Sequence, residues 1–182
     1  TGVGAGTVTI TATSNGVSTS KSIQVKEPTI KLDRETANIY PPATKTVTFT
    51  VTVNGVQGNS GVTWTSGNTK VATVSNGKVT AVGKGTATIT AKANGKLAKA
   101  KVTVKDPYAN VSPTSGTIKV GKTLQLTTNY APASTGTPSY SSSNKKVATV
   151  DSKGVVKGVK AGTATIIVKV NGVTAKAEIT VK

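Results

Sequence analysis

An all-β fold of tandem sandwich modules is predicted by three observations: the composition, a period-two hydropathy pattern and an internal repeat. Thr, Val, Ala, Gly, Ser and Lys dominate the 182 residues, aromatics make up 3%, and Cys, Met and His are absent. Branching at Cβ stiffens Thr and Val and suits them to a pleated, half-buried surface. Leu and Glu, which fill most helices, are scarce, and no segment is written as a helix.

The alternation starts at once. Val8, Ile10, Ile23 and Val25 fall on one face of two runs separated by Asn15-Gly16, a pair that favours a two-residue hairpin turn with positive φ at both residues. Residues 1–26 are therefore read as the C-terminal hairpin of a first, incomplete module. Its apolar face calls for the missing strands, supplied either upstream in the same chain or by another chain.

Residues 28–105 read as a second module, with strands near 29–33, 46–53, 61–66, 71–75, 78–82, 85–93 and 96–105. Ala98, Ala100, Val102 and Val104 alternate with Lys99, Lys101, Thr103 and Lys105, so one face is dry and the other wet. Asn54-Gly55, Asn76-Gly77 and Asn94-Gly95 mark turns, the first opening a longer loop through Gly61. Residues 107–182 read as a third module, in which Ala175, Ala177, Ile179 and Val181 repeat the alternation after Asn171-Gly172. About seven short strands per module point to an immunoglobulin-like sandwich.

The repeat is explicit. Trp64-Thr-Ser66-Gly-Asn68-Thr-Lys-Val71-Ala-Thr-Val74 returns as Tyr140-Ser-Ser142-Ser-Asn144-Lys-Lys-Val147-Ala-Thr-Val150, at an offset of 76. Gly85-Thr-Ala-Thr-Ile89 returns as Gly162-Thr-Ala-Thr-Ile166, at an offset of 77, and Gly6-Thr-Val-Thr-Ile10 is an earlier copy. These elements, with Gly77-Lys-Val-Thr-Ala81 between them, resemble the bacterial immunoglobulin-like domain, group 2. The resemblance covers two modules and the tail of another. It implies a sandwich found in adhesins, S-layer and wall proteins, accessory modules of secreted enzymes, and phage virion proteins, with no single ligand.

Charge bears on partners. Lys and Arg number 23 against 6 acids, a net charge of +17, and Arg34 is the lone arginine. Lysine is a hydrated point charge without arginine's bidentate fork, so an anionic glycan or wall polymer suits it, and specific nucleic-acid reading does not. The same lysines also line solvent-facing and edge-strand positions, where they discourage strand-to-strand aggregation. No stretch is long enough for a membrane span.

Catalysis has little to work with. Without His or Cys, the usual neutral-pH bases and thiol nucleophiles are missing. The acids Glu27, Asp33, Glu35, Asp106, Asp151 and Glu178 are scattered; Asp33 and Glu35 flank Arg34 and read as a solvated turn. Glu27-Pro28 and Asp106-Pro107 read as short, stiff linkers rather than calcium sites. No cofactor or metal is expected. Trp64 suggests sugar stacking, but its repeat partner Tyr140 favours packing. Tyr40, Tyr108 and Tyr130, at junctions or loop tips, are the candidate ligand contacts.

The expectation is a non-enzymatic, extracellular repeat module of a bacterial surface or wall protein. It would stack with neighbouring modules of a longer chain and attach to anionic polymers or glycans, within a polymeric surface array. A phage virion decoration or tail-associated protein, and an accessory module of a secreted carbohydrate-active enzyme, are the alternatives.

Overall fold

The computed structural model describes residues 4–182, and every regular element among them is a β-strand. Strands β1 (Gly6–Ser14) and β2 (Val17–Val25) form one antiparallel hairpin, in register from Gly6↔Val25 to Ser14↔Val17. On one face Thr9, Thr11 and Thr13 bond Ser22, Ser20 and Ser18 across the strands. Residues 1–3 of the expected 1–26 hairpin lie outside the described residues.

Ten strands follow: β3 (Ile30–Leu32), β4 (Thr36–Ile39), β5 (Thr46–Thr48), β6 (Val51–Val53), β7 (Val56–Gln57), β8 (Thr63–Ser66), β9 (Ala72–Ser75), β10 (Lys78–Ala81), β11 (Gly85–Ala93) and β12 (Lys96–Val104). They pair as β4-β12-β11-β8, β5-β10-β9 and β3-β6-β7. Phe49, Ile39, Ile89, Val79 and Val102 are fully buried where these sheets face one another.

Nine more repeat the plan: β13 (Tyr108–Ser112), β14 (Ser115–Ile118), β15 (Thr123–Gln125), β16 (Thr127–Ala131), β17 (Ser139–Ser142), β18 (Ala148–Val150), β19 (Val155–Gly158), β20 (Gly162–Val170) and β21 (Val173–Val181). The corresponding sheets are β14-β21-β20-β17, β15-β19-β18 and β13-β16. Leu126, Ile166, Ile179, Val156 and Val168 form a separate core. Among the described residues, no polar or charged residue is buried in either core.

Three features differ from the strand pattern expected, one being β7, which pairs with β6 across the Asn54-Gly55 turn where the sequence suggests a loop through Gly61. The single run 46–53 is two strands, because the chain changes sheets at Phe49–Thr50. Phe49 N–H still donates to Gly77 O at 2.9 Å beside β10, whereas Thr50 O accepts from Asp33 N–H at 2.9 Å beside β3. Strand β4 was not expected at all. It pairs in parallel with β12, from Thr36↔Lys101 to Ile39↔Val104, and β14 does the same with β21.

The repeated Ser-x-Asn motif is a self-bonded loop. Ser66 Oγ donates to Ala72 O at 2.7 Å, Asn68 Oδ1 accepts from Lys70 N–H at 3.2 Å, and Asn68 O accepts from the Val71 and Ala72 amides. Ser142 Oγ and Asn144 Oδ1 likewise accept from the Asn144 and Lys146 amides at 3.2 and 3.1 Å. Short polar side chains thus replace ladder bonds where the chain crosses between sheets.

Each unit also has a glycine against its aromatic. A Cβ on Gly77 (φ +79°) would lie 2.5 Å from Phe49 O and 3.2 Å from Trp64 Cζ2. On Gly154 (φ +80°) it would lie 2.8 Å from Leu126 O and 3.1 Å from the Tyr140 ring. Gly77→Ala and Gly154→Ala therefore combine left-handed strain with a backbone clash. Each should cost upwards of about 2 kcal/mol, lowering the melting temperature of its unit by roughly 10 °C. Gly95→Ala (φ +74°, open surroundings) should cost only about 1 kcal/mol. Calorimetry of the three variants checks the order; equal shifts would refute the packing role.

Candidate functional surface

The long strands set the surface chemistry. Because β11 and β12 alternate, Ala87, Ile89 and Ala91 point into the core while Thr86, Thr88, Thr90 and Lys92 point out. On β12 the outward positions are Leu97, Lys99, Lys101 and Thr103. Register sets Lys99 opposite Thr90, and Lys101 between Thr88 and Thr36, giving a flat face of ammonium groups among hydroxyls. In the second unit Lys169 and Lys176 hold comparable outward positions, with Glu178 opposite Thr165. Among the described residues only Arg34, Lys84 and Lys96 have a carboxylate partner: Asp33 at 2.5 Å, Asp106 at 2.5 Å and Glu27 at 2.7 Å. Exposed pairs of this kind contribute little, so most of the positive charge is uncompensated.

The three candidate tyrosines do not converge. Tyr40 is half-buried at a turn closed by Thr44, whose Oγ1 accepts from Tyr40 N–H at 2.8 Å. Tyr108 and Tyr130 lie on paired strands, but Tyr108 opposes Ala131 and Tyr130 opposes Ala109, which puts the rings on opposite faces. Tyr130 is half-buried and its hydroxyl donates to Gly136 O at 3.2 Å. Tyr108 is 43% exposed, and it alone presents a broad ring to solvent. Trp64 and Tyr140 are half-buried against the cores, as packing residues should be. The Tyr140 hydroxyl bonds Thr128 Oγ1 at 2.9 Å.

The acids are equally dispersed. Among the described residues, no group of three or more acids could hold a metal ion. Asp33 is instead absorbed into the sheet change at Thr50. Its Oδ1 accepts the Thr50 N–H at 3.0 Å, its Oδ2 accepts from Arg34 Nε at 2.9 Å, and the guanidinium lies 5.7 Å from the Phe49 ring centroid. Burial works to raise the Asp33 carboxyl, but the Arg34 and Thr50 hydrogen bonds and the guanidinium charge outweigh it and hold the group below its ordinary value.

The feature with no counterpart in the sandwiches is the hairpin face. Val8, Ile10 and Ile23 are 51%, 55% and 46% exposed, whereas Ile89 and Val102, at the positions equivalent to Ile10 and Ile23, are 0% exposed. The period-two pattern located this face. The lysine–threonine faces were also written in the alternation of Lys99, Lys101 and Thr103 with Ala100 and Val102.

A depressed acid stabilises the fold above its unfolded value, near about 3.9, and that contribution is lost as the pH falls through the folded value below it. Asp33→Asn should cost about 1 kcal/mol at neutral pH and nothing measurable at strongly acid pH. Urea unfolding of both proteins across that range checks the sign; a pH-independent difference would refute it.

The family described as bacterial Ig-like domain (group 2) matches residues 29–104 and 108–181. An uncharacterized protein of Clostridium acetobutylicum is 33% identical over 150 residues, 78% of this chain and 15% of that protein. A 3-O-alpha-D-galactosyl-alpha-L-arabinofuranosidase of Bifidobacterium longum subsp. longum is 55% identical over 51 residues, 27% of this chain and 4% of that protein. The chain thus spans a small fraction of either relative. Among solved structures, domains 1–6 of the surface layer protein SbsC cover 96% of this chain and are covered over 32% of their own length, at 22% identity and a TM-score of 0.44. A tandem from titin covers 96% of this chain and is covered over 73%, at 13% identity and a TM-score of 0.35.

Proposed function

The chain belongs to the bacterial Ig-like domain (group 2) family, and from that premise we propose that it is a non-catalytic stretch of an extracellular surface array. In this reading modules 28–105 and 107–182 space or present another region and hold the array against anionic wall polymers or glycans. The observation that carries it is the division of labour within each long ribbon. All chemistry that the inward face could hold is spent on apolar packing, and the outward face offers regularly spaced lysines among hydroxyls. Three residues, Lys105-Asp-Pro107, join Val104 to Tyr108, and a proline-limited link of that length restricts bending between modules.

The β1–β2 hairpin fits the same array as the end of a preceding module. The occupant that suits its apolar face is the remaining strand set of that module, of the kind that residues 29–82 provide for β11–β12. Lys21 stands where Ala100 and Ala177 are buried, so this cover must leave its ammonium a route to water or meet it with a carboxylate.

Attachment by charge predicts strong salt dependence. Binding to an immobilised polyglycerol phosphate should weaken steeply as ionic strength rises past the physiological range. Replacing Lys92, Lys99 and Lys101 together by Gln should weaken binding further without lowering thermal stability. Binding unmoved by salt, or by the triple substitution, would overturn the electrostatic reading.

The second reading, an accessory module of a secreted carbohydrate-active enzyme, is favoured by the glycosidase relative and by the open ring of Tyr108. It requires salt-insensitive binding to a neutral glycan that Tyr108→Ala abolishes. A virion decoration role shares the array logic and is distinguished by a capsid or tail domain elsewhere in the protein.

A further inference from the structure

Five Asn-Gly pairs close turns with nearly the same backbone: φ is 47–52° at Asn15, Asn54, Asn76, Asn94 and Asn171, and 74–82° at the glycines that follow. Their surroundings differ. Asn54 Oδ1 accepts from Thr29 N–H at 2.9 Å, and Asn54 N–H donates to Thr29 O at 3.0 Å. Asn171 Nδ2 donates to Pro132 O at 2.7 Å, while its Oδ1 accepts from Thr135 Oγ1 at 3.3 Å. After Asn76 comes Gly77, buried against Phe49 O and Trp64, and Asn76 O accepts from Asn59 Nδ2 at 2.8 Å. Asn15 and Asn94 are exposed and their amide groups make no hydrogen bond among the described residues. Nothing lies within 4 Å of a Cβ placed on Gly16 or Gly95.

We propose that Asn15 and Asn94 are sites of spontaneous deamidation, and that the fold protects the same dipeptide at 54, 76 and 171. In a two-residue turn the ladder bonds fall on the flanking pair, so the glycine amide is free to react. Solvent base removes its proton, and the nitrogen attacks the asparagine Cγ. The N–Cγ bond forms, the Cγ–Nδ2 bond breaks, and Nδ2 departs as ammonia, leaving a succinimide. Water then opens the ring at either carbonyl, giving aspartate or isoaspartate, with no oxidation or reduction at any step. At 15 and 94 the side chain is free to turn toward the glycine nitrogen. At 54 and 171 it is tethered, and at 76 the ring would have to form against packed backbone.

The two products differ in consequence. Aspartate keeps the turn, since Asp-Gly suits the same conformation. Isoaspartate routes the main chain through the former side chain and adds a backbone carbon to a loop that has room for two residues. At Asn94 that addition sits on the hairpin whose inward face carries Ile89 and Val102. Conversion at both sites also removes two units from a net charge of +17.

The test is peptide mapping of the intact chain after incubation in heavy-oxygen water at mildly alkaline pH, with a parallel sample in urea. In the folded protein the peptides holding Asn15 and Asn94 should take up label several-fold faster than the other three. In urea the rates at 54, 76 and 171 should rise toward those at 15 and 94. Equal rates in the folded protein would overturn the proposal, as would an inequality that survives unfolding in the same order. Thr135→Val adds an independent check: it loosens the hold on Asn171 and should raise its rate alone, and no change there counts against the tether.

Discussion

Each sandwich depends on one long two-stranded ribbon that is apolar on a single face. Nine residues on each side of an Asn-Gly turn stay in strict register, so every second side chain of β11–β12 and β20–β21 reaches the same dry layer. Once such a ribbon exists, its apolar face must be covered, because a lone hairpin is marginal in water. The sheets β5-β10-β9 and β3-β6-β7 cover one ribbon, and β15-β19-β18 and β13-β16 cover the other, while β8 and β17 widen the ribbons' own sheets. Hydrogen bonds bring β4 and β14 to the ribbon edge, and the sheet change at Phe49 and Leu126 brings the opposite layer over it.

The β1–β2 hairpin displays the ribbon without its cover. It has the same turn, the same alternation and comparable apolar side chains, and its threonine–serine ladder satisfies the wet face. Among the described residues no opposing layer lies over it, and Ile10 and Ile23 are exposed where their equivalents Ile89 and Val102 are fully buried. This contrast, within one chain, separates what the local pattern specifies from what tertiary packing adds.

The same separation explains how much could be read in advance. The ribbons, their turns and the inward or outward direction of nearly every residue were legible, because period two and Asn-Gly are local signals. Strand β4 was not, since Thr36–Ile39 alternates over only four residues with no turn signal to set it off, and its ladder bonds come from the parallel partner β12. The break at Phe49–Thr50 was hidden because the polar–apolar alternation runs through it without interruption from Thr46 to Val53. The glycine corner was least legible of all. In one unit the carbonyls of Phe49 and Asn76 accept from Asn59, in the loop after β7; in the other, those of Leu126 and Lys153 accept from Gln125, in β15. The bonds repeat but the residues that make them do not, so self-alignment could not find them. The candidate tyrosines failed to converge for a related reason: faces are set by register, and only Tyr108 falls outward.

The parallel pairing of β4 with β12, and of β14 with β21, bears on mechanics. Each sandwich is entered near one of these strands and left by the other, so tension along the chain pulls the pair in opposite directions along their length. The bonds between them are then loaded in shear and must yield together. The β1–β2 hairpin has the opposite geometry: its ends lie side by side, and tension across them would open it one rung at a time. A chain of these modules should therefore resist extension within each sandwich, where the parallel pair carries the load.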